Sequence, residues 1–144
     1  RAFEAVKASG LSPDVVLNLQ GDAPLTPPHF IRQMIRAFDV TPVPDVVTPA
    51  YQLTWDQLDD MRNSKRQTPF SGTSVICGPD GYALWFSKNI IPAIRKEDKL
   101  RVSDGLSPVI RHIGLYAYHY PALEKYVTLD QSRYEQLEGL EQSG

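Results

Sequence analysis

The sequence predicts an α/β fold, a single domain over residues 1–144 with a β-hairpin extension at about 72–87. Three observations predict it. Val15-Val16-Leu17-Asn18-Leu19 is a nearly continuous apolar run that reads as a buried strand in a parallel or mixed sheet. A loop and an amphipathic helical pattern follow it, which is the first half of a βαβ unit. Two β-prone runs then flank Gly78-Pro79-Asp80-Gly81, with proline second and glycine fourth as turn chemistry requires.

Taken in order, residues 1–9 read as the tail of a helix, with Phe3 and Val6 on one face and a stop at Ser9-Gly10, where glycine suits a C-terminal cap. After the first strand, Thr26 and Pro27 form an N-cap and first-turn pair, and Ile31, Met34, Ile35 and Phe38 recur at helical spacing. Pro42, Pro44 and Pro49 punctuate the next stretch around a short strand at Asp45-Val46-Val47-Thr48. Thr54-Trp55-Asp56-Gln57 opens a brief helix through Met61, and the polar residues 62–67 read as an exposed loop. The hairpin pairs Thr73–Cys77 with Tyr82–Phe86. Residues 95–104 read as a charged surface loop, and residues 112–118 as one further strand. Pro121 starts a short helix carrying Leu123 and Tyr126, and a last helix begins near Thr128 or Asp130 and runs through Tyr134, Leu137 and Leu140.

Composition narrows the function classes. A chain of 144 residues is long enough to bury a core without metal or disulfide staples. The net charge of -2 provides no basic field for nucleic acid or an anionic membrane surface, so neither is expected as a partner. A single cysteine, Cys77, makes no internal disulfide, and the apolar runs are too short to span a bilayer, which predicts a cytoplasmic setting. The chain opens on Arg1 and closes at Gly144 within or just after a helical pattern, so it is expected to be part of a longer polypeptide.

Ligands of open α/β sheets bind beyond the carboxyl ends of strands, where Gln20-Gly21-Asp22 stands. Asp22 has two readings from spacing alone, a turn cap before Pro24 or a hard oxygen ligand of the kind Mg²⁺ takes alongside phosphates. Gln20 lies two residues earlier and shares its face. Arg95 reads as a solvated arginine of a charged run, and His112 as a core or edge histidine at the head of an apolar strand. His112, Tyr116 and Tyr118 share one parity on that strand.

Four segments in order carry a resemblance that resolves these choices. Val16-Leu17-Asn18-Leu19-Gln20-Gly21-Asp22-Ala23-Pro24-Leu25 is similar to the NVQGDEPL segment of the 3-deoxy-manno-octulosonate (Kdo) cytidylyltransferases, the CMP-Kdo synthetases. Gly81-Tyr82-Ala83-Leu84-Trp85-Phe86-Ser87-Lys88, with Ile91-Pro92 and Arg95 beyond it, resembles their GYALYFSR, IP and R stretch. His112-Ile113-Gly114-Leu115-Tyr116-Ala117-Tyr118 matches HIGIYAY nearly letter for letter. Glu135, Leu137, Glu138, Leu140, Glu141 and Gln142 fall on the family's PLEQIESLEQ helix.

The resemblance implies a Rossmann-like nucleotide-diphospho-sugar transferase fold, here partial, with a mixed sheet, helices on both faces and a hairpin that helps form a homodimer. It implies transfer of a cytidylyl group from CTP to Kdo, an acidic eight-carbon sugar, in lipopolysaccharide precursor synthesis. Asp22 would be the catalytic Mg²⁺ ligand, and Gln20 would bond the sugar. Arg95 would grip the sugar carboxylate, since a guanidinium pairs with it bidentately. Lys88 would also bind the substrate; it stands where the family commonly carries arginine and replaces a fork by a point charge. His112, Tyr116, Glu141 and Gln142 would bond sugar hydroxyls.

Two departures from the family stand out. Ala23 replaces the glutamate that follows the aspartate, and Arg133 replaces a proline. The family's CTP-phosphate loop and second metal-binding aspartate have no counterpart in these 144 residues. Two alternatives therefore stay open: a cytidylyltransferase for a related acidic sugar, such as an 8-amino-octulosonate or a nonulosonate, and a non-catalytic sugar-acid-binding or dimerisation module of the same fold.

Overall fold

The computed structural model describes residues 2–19, 26–130 and 133–138. The elements run α1 (Ala2–Ser9), β1 (Val15–Asn18), α2 (Pro28–Arg36), β2 (Val46–Val47), β3 (Ala50–Thr54), α3 (Trp55–Gln67), β4 (Thr73–Cys77), β5 (Ala83–Ser87), α4 (Glu97–Ser103), β6 (Leu106–His112), β7 (Tyr116–His119), α5 (Tyr120–Tyr126) and α6 (Arg133–Glu138). The described residues fall into two compact units, residues 2–19, 26–49 and 114–130, and residues 50–113 with 133–138. No described helix is long and apolar enough to cross a membrane.

The first unit holds a three-stranded sheet in the order β1-β7-β2. α1 stops at Gly10, whose φ of +68° is a conformation that glycine adopts without the Cβ penalty. α2 starts one residue later than the sequence predicts: Pro27 is its N-cap and makes no side-chain capping bond, so Thr26 is not the cap. Its apolar stripe buries Met34 and, just past its end, Phe38, while Ile35 remains 48% exposed. Tyr118 and Leu123 are buried in the same unit, the second on α5 as its spacing predicts.

β1 pairs antiparallel with β7, and every strand pairing recorded among the described residues is antiparallel. The expected parallel neighbour of β1 is therefore not among them. A continuous apolar run reports burial, not the direction of the adjacent strand, and the four residues of β1 are each half-buried.

The second unit is a four-stranded sheet, β3-β6-β4-β5, backed by α3. Leu53 of β3 and Val109 of β6 pack with Trp55, Leu58 and Met61 of α3, and Ile90, Ile94 and Leu100 close over this core. β4 and β5 form the predicted hairpin, closed where the Gly81 N–H donates to the Gly78 carbonyl at 3.0 Å.

Three predictions need correction in this unit. α3 does not end at Met61 but continues to Gln67, so residues 62–67 are helix and not loop. Its start is fixed by a full capping box between Thr54 and Gln57, and its polar second half is carried by the apolar stripe of its first half. Residues 97–103 of the charged stretch likewise form α4. Arg62 reaches Glu97 through two 2.8 Å bonds, and Arg101 takes both oxygens of Asp59 at 3.0 and 2.6 Å. These contacts between distant residues add to the helix's own Glu97–Arg101 pair and hold a short polar helix in place. Finally, the strand predicted over 112–118 is two strands, because Ile113-Gly114-Leu115 breaks it.

Candidate active-site face

That break decides where the predicted site residues stand. His112 ends β6 in the second unit, and Tyr116 begins β7 in the first, so they do not share a strand face as their spacing suggests. Gly114 lies in the break, since glycine weakens a strand and here separates two.

In the second unit, alternation along β6 turns Val109 toward α3 and leaves Ile110 and His112 on the opposite face. Pairing adds Thr73 opposite His112, and Val75 opposite both Ile110 and Phe86. Phe86 meets the His112 ring edge-on, with centroids 5.0 Å apart. Burial, and then the positive charge of Lys88, push the His112 imidazole down from its ordinary 6.5 to about 4. The ring is thus neutral at physiological pH and offers one N–H donor and one nitrogen acceptor. Lys88 and His112, 24 positions apart in sequence, are two predicted ligands near enough for the lysine's charge to act on the imidazole.

Arg95 is exposed on the segment that joins β5 to α4, seven residues after Lys88. The backbone there is fixed on both sides. Ile90 and Ile94 insert into the core, and Lys96 takes a left-handed φ of 55° before α4 begins. α4 is then held by the paired guanidiniums. Glu97 is drawn from an ordinary 4.5 to about 2, first by its hydrogen bonds from Arg62 and then by those from Arg101. The Arg101 guanidinium also lies 4.8 Å from the centre of the Trp55 ring, and the Trp55 indole donates to the Asp104 carbonyl at 2.7 Å.

In the first unit, Tyr116 pairs with Asn18, the last residue of β1, and stacks on Tyr118 at 6.2 Å. Burial, reinforced by Tyr118, raises the Tyr116 hydroxyl above its usual range, so it stays protonated and able to donate. Tyr118 itself is 6% exposed and belongs to the core.

Gln20, Asp22, Glu141 and Gln142 lie outside the described residues. Among the described residues, no three His, Cys, Asp or Glu side chains gather into a metal site. Two residues went unnoticed in the sequence. Lys65 donates to the carbonyls of Pro69, Ser71, Gly72 and Lys88, and fully buried Ser74 bonds the same Lys88 segment. A lysine in a polar run and a serine inside a β-prone run carry no local signal of such contacts.

All 144 residues match the profile of a family described as cytidylyltransferase. The 3-deoxy-manno-octulosonate cytidylyltransferase of Maricaulis maris is 39% identical over 142 residues, 99% of this chain and 52% of that protein. The enzyme of the same name from Chloroherpeton thalassium is 38% identical over 138 residues, 96% of this chain and 51% of the relative. A solved structure of CMP:2-keto-3-deoxy-manno-octonic acid synthetase complexed with CTP superposes with a TM-score of 0.75 at 26% identity, over 97% of this chain and 51% of that one. The chain spans about half the length of these relatives.

Proposed function

The chain belongs to the cytidylyltransferase family, and from that premise we propose that the full-length protein transfers a cytidylyl group from CTP to Kdo, releasing pyrophosphate. The observation that supports this reading, beyond the match itself, is that His112, set against Phe86 on its sheet face, is held neutral by burial and then by the positive charge of Lys88. An acidic polyhydroxy sugar needs a cation for its carboxylate and uncharged groups that both donate and accept for its hydroxyls.

In this proposal Arg95 pairs with the sugar carboxylate and Lys88 adds a second positive charge. His112, Tyr116, Gln20, Glu141 and Gln142 bond hydroxyls. Holding the sugar with its reacting hydroxyl oriented is how such residues accelerate a transfer step. Mg²⁺, bound in part by Asp22, would neutralise phosphate charge when present. The proposed protein acts in the cytoplasm as a homodimer, with residues 1–144 forming the sugar-binding and dimerisation part of one domain.

Steady-state kinetics of the full-length protein test the assignment. Arg95→Ala is expected to raise the KM for Kdo about 100-fold, the loss of a charge-assisted bidentate pair, and to leave that for CTP within about twofold. Equal effects on both substrates would remove Arg95 from the sugar site.

A further inference from the structure

The segment from Lys88 to Arg95 has no regular secondary structure, yet its backbone is bonded from below at consecutive points. Ser74 sits in the middle of the sheet on β4, with a relative exposure of 0%. Its hydroxyl donates to the Asn89 carbonyl at 2.6 Å and accepts the Ile91 N–H at 3.2 Å. The Ser87 hydroxyl accepts the Asn89 N–H at 3.1 Å. The Lys65 ammonium closes the near end by donating to the Lys88 carbonyl while tying in Ser71 and Gly72. Ile90 then enters the α3 core between these anchors.

A buried serine is out of place in a β-prone run unless its hydroxyl is engaged, because an unpaired one costs the desolvation of a polar group. Here one hydroxyl satisfies both a donor and an acceptor of a chain that has no ladder of its own. The path of that chain fixes where Lys88 leaves the sheet and where Arg95 emerges.

We infer that Ser74 is a positioning residue for sugar-acid binding, acting through the backbone of Lys88–Arg95 to aim the Arg95 guanidinium. The inference rests on the reading of Arg95 as the carboxylate ligand. Ser74 touches no substrate, and its effect reaches the site only through that segment.

A double-mutant cycle on the full-length protein tests it, with KM for Kdo, KM for CTP, kcat and the melting temperature measured for each form. Ser74→Ala is expected to raise the KM for Kdo about tenfold while kcat and the KM for CTP change less than about twofold. In an Arg95→Ala background, the same substitution should change the KM for Kdo by less than about twofold, because the group it aims is gone. A full tenfold effect in that background, or an equal loss for both substrates, overturns the inference. If Arg95→Ala raises the KM for Kdo and Ser74→Ala does not, the positioning role alone is wrong. If Arg95→Ala is itself silent, the sugar-site reading beneath it fails. Should Ser74→Ala not fold, Ser74→Gly removes the same hydroxyl, and an unchanged KM for Kdo in that variant equally overturns the role.

Discussion

Replacing His112 by glutamine should flatten the acid side of the protein's stability curve. The imidazole lies on the face that also carries Phe86, and burial with the nearby Lys88 charge lowers its proton affinity from 6.5 to about 4. In the unfolded chain it recovers the ordinary value, so between those two pH values the unfolded state binds more protons. Stability from this group is therefore fully present above about pH 6.5 and is lost as pH falls toward 4. Between pH 7 and pH 5 the loss amounts to about 2 kcal/mol for the wild-type chain and to none for His112→Gln. Urea unfolding of both full-length proteins at the two pH values measures it, with the variant's difference subtracted to cancel every other titrating group. Equal losses in wild type and variant would show that the imidazole is not held neutral, and the hydroxyl-bonding role proposed for it would lose its basis.

Two further outcomes follow from the packing and the charge network. Glu97, held near 2 by Arg62 and Arg101, stabilises the fold above about pH 4.5 and ceases to do so as pH falls toward 2. The melting temperature of Glu97→Gln should therefore fall less than that of the wild type between pH 5 and pH 3, as followed by circular dichroism. Leu58→Ala empties a site of 0% exposure beneath β3 and β6, and chemical denaturation should show a loss of about 2–5 kcal/mol.

What was legible in the sequence was what local chemistry determines. Gly10 ends α1, and Gly78-Pro79-Asp80-Gly81 turns the hairpin through the bond its glycine positions require. The apolar spacing of α5 places Leu123 inside. What was not legible depends on partners far along the chain. β3 escaped notice because Gln52 interrupts its apolar pattern, and its place in the sheet comes from pairing with β6 some sixty residues later. α4 reads as a charged loop because two of its partners, Asp59 for Arg101 and Arg62 for Glu97, lie 42 and 35 positions away.

The site divides in the same way. Lys88, Arg95, His112 and Tyr116 were all singled out from motifs, but the motifs held no information on which strand each would occupy. A seven-residue match across Gly114 reads as one strand and is two. The contacts that fix the Arg95 segment, made by Ser74 and Lys65, lie in stretches that match no motif.

The central claim, cytidylyl transfer to an acidic octulosonate, is tested most directly by following pyrophosphate release from CTP. The full-length protein is supplied with Mg²⁺ and, one at a time, Kdo, its 8-amino analogue, a nonulosonate and a neutral hexose. Rapid release with Kdo together with formation of CMP-Kdo is expected, and none with the hexose or without sugar. Release that needs a nonulosonate and not Kdo, or no release with any acidic sugar, would contradict it.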